Sequence, residues 1–246
     1  MKHITLTVIF ALFCALGFGQ VSNPEFDKVA KKYEKGSYES ALESAESLID
    51  NDKHRKKPEP YLWASMCHYA IHNSDDDKLK SRFKSPLRDA LKYAGKAVQK
   101  DKNGNIVDNN SDYYATMKTE GVAYAQEFEA DGNYRKALYT YKQILKFAPN
   151  DPYILFVKGV TDIRQNAAFE AEKAISASFP VLEKNYRNLD YKPDPISSPI
   201  LKGALVYYID KLIEDAYVDS AKNVALSARV IFPLDEDIKA KLASLE

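Results

Sequence analysis

From Gly132 to Asp151 the chain reads GNYRKALYTYKQILKFAPND. Ala137, Tyr141 and Ile144 fall at i, i+4 and i+7, which is one face of a helix, and Pro149 and Asn150 close it. Upstream, Gly121, Tyr124, Ala125 and Phe128 make a second stripe of this kind, and Asp131-Gly132-Asn133 supply a turn between the two. The pattern predicts two antiparallel helices and a proline stop over roughly 118 to 151.

The second-helix pattern recurs. GSYESALESAESLID places Ala41, Ala45 and Leu48 on one face, and PLRDALKYAGKAVQKD does the same with Ala90, Ala94 and Ala97. YVDSAKNVALSARVIFPLD gives Ala221, Ala225 and Ala228 before Pro233, while a poorer copy has Gly159 followed by Ala171 and Ile175. Small residues at these points let two helices cross closely, since larger side chains would push the backbones apart. The anchoring alanines Ala41, Ala90, Ala137, Ala171 and Ala221 lie 49, 47, 34 and 50 residues apart, so most pairs carry longer helices or inserts. Charged stretches at 54–60, 73–85 and 101–112 read as such inserts. Asn185 to Pro199, with three prolines, reads as a loop.

The segment around Gly132 resembles the tetratricopeptide repeat. Ala125, Gly132, Ala137 and Pro149 match that family's small residue, turn glycine, second-helix alanine and closing proline, although Gly121 stands where the family prefers Trp. The resemblance implies an all-α fold, a right-handed α-solenoid of about five antiparallel helix pairs plus a short C-terminal capping helix. The pairs fall near 23–52, 58–101, 112–150, 151–186 and 197–234, with the cap at 235–246, all in one repeat domain from 20 to 246.

An array of this kind binds in a groove lined by its first helices. Counting from the third pair assigns Tyr61, Ala64, His68 and Ile71 to that face in the second pair, with His72 at its edge. The third pair contributes Thr119, Val122, Gln126 and Glu129, and the fourth contributes Tyr153, Phe156, Val160 and Ile163. Tyr61, His68, His72, Val122, Gln126, Tyr153, Phe156, Val160 and Ile163 are therefore the candidate partner-binding residues. The alternative is that the large side chains among them pack against the next pair.

The first 19 residues change the picture of location. Lys2 precedes an apolar run from Ile4 to Phe18, about 15 residues and short of the roughly 20 that span a bilayer, so they read as an export signal cleaved before Gln20. Cys14 follows Phe13 rather than a small residue, which does not suit lipidation. The Gly-Phe-Gly-Gln ending resembles signals of Bacteroidota, and implies a periplasmic, outer-membrane-associated or secreted protein. Only Cys67 then remains, so no intramolecular disulfide is available and the core alone must hold the fold. Formal charge is zero, with 35 basic against 35 acidic side chains, and a nucleic-acid binder needs a concentrated basic face instead.

Candidate chemistry is sparse. No nucleophile elbow, phosphate loop or zinc-spaced cysteine pattern occurs, and no catalytic residue or cofactor is expected. His68 and His72 at i and i+4, with Asp75, Asp76 and Asp77 nearby, allow a metal site or a polar groove lining. Asp101 to Asp112 has the length of a calcium loop but carries Ile106 where the sixth-position glycine belongs, so a polar turn is the simpler reading. Cys67 reads as a small core residue.

Two functions follow. One is a scaffold that holds another protein or peptide, reaching a membrane only through that partner; the five-repeat accessory lipoproteins of outer-membrane protein assembly are similar in length. The other is a carbohydrate- or nutrient-binding surface protein in which Trp63 and exposed tyrosines stack on sugar rings. A helical hydrolase would need a carboxylate pair that the groove positions do not supply.

Overall fold

The computed structural model describes residues 24–188 and 190–245. The expected export signal, Cys14 and the cleavage point at Gln20 lie outside the described residues. Every regular element among the described residues is helical: a 3-10 turn at Pro24–Phe26 and thirteen α-helices. They group into two compact units that divide between Gly121 and Val122.

The first unit holds α1 (Asp27–Glu34), α2 (Tyr38–Asp50), α3 (Glu59–His72), α4 (Asp77–Ser81), α5 (Pro86–Lys100), α6 (Ile106–Asn109) and the start of α7 (Ser111–Ala130). Here α3 is the centre, packed against α2 on one side and α5 on the other. Ala64, Cys67, Ala90, Ala94 and Ala97 have no exposed surface, as a close crossing of α3 and α5 requires. The stretches 73–85 and 101–112, expected as plain loops, contain the short helices α4 and α6. The Asp76 carboxylate accepts from Lys78 N and Leu79 N to start α4, and Leu79 closes it onto the core.

The second unit holds the end of α7, then α8 (Tyr134–Phe147), α9 (Pro152–Arg164), α10 (Ala168–Arg187), α11 (Ser198–Glu214), α12 (Val218–Ile231) and α13 (Glu236–Ala243). Helix α9 packs against α8, α10 and α11, and α10 against α12. Ala137, Tyr141 and Ile144 are fully buried, as their spacing predicts. The closest approach is at Gly159. A Cβ there would stand 2.8 Å from Ile175 Cγ1 and 3.2 Å from the Ala171 carbonyl oxygen, so only glycine lets α9 and α10 meet.

Four hairpins share one turn. Gly36, Gly132, Asn166 and Ala216 each take a positive φ, of 74°, 69°, 57° and 65°. At each, that residue's N–H bonds the carbonyl three back and the next N–H bonds the carbonyl five before it, as in Gly132 to Glu129 (3.0 Å) and Asn133 to Phe128 (2.7 Å). These are Schellman turns, which satisfy two orphan carbonyls and stop the first helix. The second helix then starts two residues on, at Tyr38, Tyr134, Ala168 and Val218. Helices α3 and α5 are joined instead through α4.

Candidate partner-binding site

Within the second unit α7, α9 and α11 enclose a cavity of about 210 Å³. Val157, Val160, Thr161 and Arg164 line it from α9, Gln126 and Glu129 from α7, and Pro199, Ile200, Gly203 and Ala204 from α11. The α9 residues follow a helical stripe, 157, 160, 161 and 164, so one face of that helix forms the floor. Gly203 leaves the α11 wall low, since a Cβ there would meet nothing within 4 Å. A cavity this small takes one side chain rather than a whole small molecule, because ligand pockets run from about 300 Å³ upward.

The polar groups are unevenly satisfied. Thr161 Oγ1 donates to the Glu129 carboxylate, whose other oxygen lies 3.6 Å from Arg164 Nη1. That is an ion pair without a hydrogen bond. The guanidinium carbon stands 4.3 Å from the centre of the Tyr207 ring and 5.1 Å from that of Tyr134. Only a fifth of the Arg164 side chain is exposed, yet it makes no hydrogen bond to any described residue, and its Nε is buried without a partner. The other charges of α9, Lys158 and Asp162, are buried and paired with each other at 2.5 Å. Tyr141 also has a fully buried hydroxyl without a partner. Burial raises its pKa, the nearby Glu129 adds to this, and Arg164 works against it.

The structure brings together two of the residues expected in the groove, Gln126 and Val160, along with Glu129 of the same face. It does not place the others there. Tyr153 and Phe156 are 2% and 0% exposed, so the accessible aromatic surface expected of them is corrected to core. The Tyr153 hydroxyl lies 3.1 Å from that of Tyr186 and 2.8 Å from that of Tyr191, which ties down the proline-rich loop. Phe156 meets Phe179 of α10 at 5.6 Å and Tyr208 of α11 at 6.1 Å between ring centres. The reasons differ. Each residue turns a helix by about 100°, so Phe156 falls on the side of the Gly159 crossing, whereas Tyr153 shares the face of 157, 160 and 164 but sits a turn nearer the start of α9, where Tyr186 and Tyr191 cover it. Val122 is buried, and Ile163 is half-buried outside the cavity lining.

In the first unit Tyr61 and His68 are buried as well, and neither offers the open surface expected. Tyr61 donates to the Arg55 carbonyl at 2.9 Å, beneath the Lys100 ammonium. His68 stacks on Tyr93, 5.5 Å between ring centres and 13° from parallel, with Phe83 edge-on at 5.9 Å. Its Nδ1 is buried without a partner, and desolvation lowers its pKa against the opposing pull of Asp89. His72 is half-buried at the end of α3. The face of α3 turned toward α7 carries Ser65 and Tyr69 instead. Ser65 Oγ donates to the Ala90 carbonyl (2.6 Å) and meets Tyr113 Oη (2.7 Å), and Tyr69 donates to Glu120 (3.3 Å).

Among the described residues no group of three His, Cys, Asp or Glu side chains is placed to hold a metal ion. In the 101–112 loop the Asp101 carboxylate accepts from Asn103 N at 3.0 Å and Ile106 N at 2.6 Å, which makes it a backbone cap. Cys67 is fully buried, and burial pushes its thiol pKa far up, away from the thiolate that reacts. Trp63 is 1% exposed, so it is not the sugar-stacking platform the second functional reading needs. No described helix is long and apolar enough to cross a membrane.

Sequence reasoning missed Val157, Thr161, Arg164 and the whole α11 wall. Arg164 stands four residues after Val160, so the same helical count would have reached it from a correct starting face. Ile200, Gly203 and Ala204 follow a helix whose turn residue is Ala216, where no glycine marks the register.

No family model matches the chain, and no curated protein is significantly similar to it.

Proposed function

We propose that this chain is a non-catalytic scaffold of tetratricopeptide-like helix pairs, about five of them in a right-handed array with a C-terminal cap. It is exported to the periplasm or outer membrane and holds a segment of another protein in the α7–α9–α11 cavity. The observation that carries this reading is the mixed cavity itself: an aliphatic floor beside a guanidinium with no hydrogen bond. Its Nε is out of reach, but the part-exposed end of the guanidinium carries further N–H donors with no hydrogen bond to a described residue, and a bound segment can supply the acceptor for them. Helix hairpins repeated side by side create such surfaces, which no single hairpin forms.

The test uses Gln126, exposed at the rim, as a reporter. A photocrosslinking amino acid at 126 is introduced into the full chain and activated in the native envelope, with and without Gly203→Leu. Leucine at 203 grows into open space, so it fills the cavity and leaves the fold intact. A crosslinked partner that disappears with Gly203→Leu supports the site. The same adduct in both proteins, or none, refutes it.

A further inference from the structure

We infer that the cavity recognises an extended peptide through an uncharged backbone amide, with one aliphatic side chain of that peptide on the apolar floor. The inference rests on the scaffold reading above and names the chemistry of what the scaffold holds.

Charge is the first argument. Among the described residues Arg164 is the only cation lining the cavity and Glu129 the only anion, and they face each other at 3.6 Å. The pair is neutral as a unit, so a ligand carboxylate drawn to Arg164 would be repelled by Glu129 at nearly the same distance. A neutral acceptor suffers no such opposition.

Hydrogen-bond capacity is the second. Arg164 holds five N–H donors and none is used among the described residues. Glu129 accepts one hydrogen bond from Thr161 and keeps acceptor capacity on both oxygens. The rim Gln126 offers both kinds of group. Donor and acceptor side by side match the C=O and N–H of a peptide group, whereas a carboxylate would use the donor alone. Tyr134 and Tyr207 lie against the guanidinium, which limits its rotation and leaves its edge for an acceptor.

Shape is the third. Val157, Val160, Ile200 and Ala204 make a surface for a branched or straight aliphatic side chain, and the volume near 210 Å³ admits one. Gly203 opens the wall beside it, where a passing main chain approaches without meeting a Cβ.

The probes are an acetylated, amidated peptide of alanine and leucine, the same peptide with one leucine replaced by glutamate, and a version with one amide replaced by an ester. They are titrated into the full chain labelled with nitrogen-15, following the Arg164 Nε–H and Gln126 side-chain signals. The uncharged peptide should move both signals, and its affinity should change less than about twofold between roughly 0.05 and 0.5 M salt. Arg164→Met should weaken it by at least about tenfold, since a hydrogen bond to a charged group is lost. Arg164→Lys, which keeps the charge but not the planar fork, should do the same, and the ester should bind less well than the amide. Binding confined to the glutamate peptide and suppressed by salt would show a carboxylate site and overturn the inference. Failure of every peptide to move the Arg164 signal would also overturn it. If the crosslink at 126 is lost with Gly203→Leu while the uncharged peptide does not bind, the scaffold reading stands and only the amide chemistry falls.

Discussion

Helices α3 and α9 hold equivalent places, each at the centre of its unit, yet one faces a filled surface and the other a cavity. Beside α3 the space is occupied by the chain's own tyrosines. Tyr113 closes over Ser65, Tyr69 reaches Glu120, and the Tyr69 and Tyr113 rings meet edge-on at 6.4 Å. Beside α9 the corresponding wall offers Gly203 and Ala204, which are too small to fill the gap. Beside α3 Ser65 bonds Tyr113 and Tyr69 bonds Glu120, although His68 Nδ1 elsewhere on that helix is unmet, and beside α9 Arg164 is left without a hydrogen bond to a described residue. The same helix-on-helix arrangement thus yields a closed core or a receptive site depending on one or two side-chain volumes on the neighbouring helix.

The largest test of this contrast is Phe156→Ala. If Phe156 is core between α10 and α11, its loss should cost about 3–5 kcal/mol, the range for a buried aromatic. Chemical denaturation should show this as a lower midpoint. A change below about 1 kcal/mol would return Phe156 to an open groove and remove the distinction between the α9 faces.

Next is Gly159→Val, which places a branched side chain where even a Cβ would be 2.8 Å from Ile175. Overpacking of that kind should destabilise by about 2–3 kcal/mol. Gly203→Ala, in the same kind of helix but with open space around it, should stabilise by up to about 1 kcal/mol through helix propensity. Opposite signs at two helical glycines would sharpen the claim that α9 is tightly crossed on one face and open on the other. Equal effects would break it.

The second hairpin turns give a smaller test. Ala216 sits at φ 65°, where a Cβ is strained, while Gly132 holds the same turn at φ 69° without strain. Ala216→Gly should therefore stabilise by about 1 kcal/mol and Gly132→Ala should cost about as much. Melting temperatures moving in opposite directions would confirm that the two turns are one motif with different residues.

These positions also show what was legible in the sequence. Around Gly132 the turn glycine and Pro149 bracket a single helix, so Ala137, Tyr141 and Ile144 could be placed on the buried face from spacing alone. At α9 the turn residue is Asn166, a weaker marker of a positive φ than glycine, and at α11 it is Ala216, which announces none. Counting from the third pair set the α9 face at 153, 156, 160 and 163, less than one residue's rotation of about 100° from the observed 157, 160, 161 and 164. Val160 is common to both, whereas Phe156 falls on the Gly159 side, and Tyr153, on the right face, is covered at the start of the helix by Tyr186 and Tyr191. The α11 wall was unreadable for a different reason. Its contribution is the absence of bulk at Gly203 and Ala204, and an absence matters only once its neighbours are known.

The smallest expected effect separates the two units by pH. All four histidines precede residue 122, so the second unit has none. His68 stacks between Tyr93 and Phe83, and desolvation together with Lys92 lowers its pKa, with Asp89 opposing. The folded state therefore favours the neutral imidazole. Its contribution is fully present above the unfolded value of 6.5 and is lost as pH falls below it. Glu46 works the other way, because burial raises its carboxyl pKa and acid favours its folded, protonated form. Glu25, held down to about 2 by Lys57 and Lys53, loses its contribution only as pH falls below 4.5 and does not act in this window. The comparison that isolates His68 is therefore wild type against His68→Phe, which keeps an aromatic ring against Tyr93 and removes the proton. Trp63, the single tryptophan, lies in the first unit and is 1% exposed, so its fluorescence follows that unit alone. Between pH 7 and 5 the wild-type fluorescence midpoint should fall relative to that of His68→Phe. Hydrogen exchange in α9 to α12 should show no difference between the two proteins. Parallel midpoints for wild type and variant would mean that the imidazole is solvated, and that the first unit is less closed beside α3 than its stacked rings indicate.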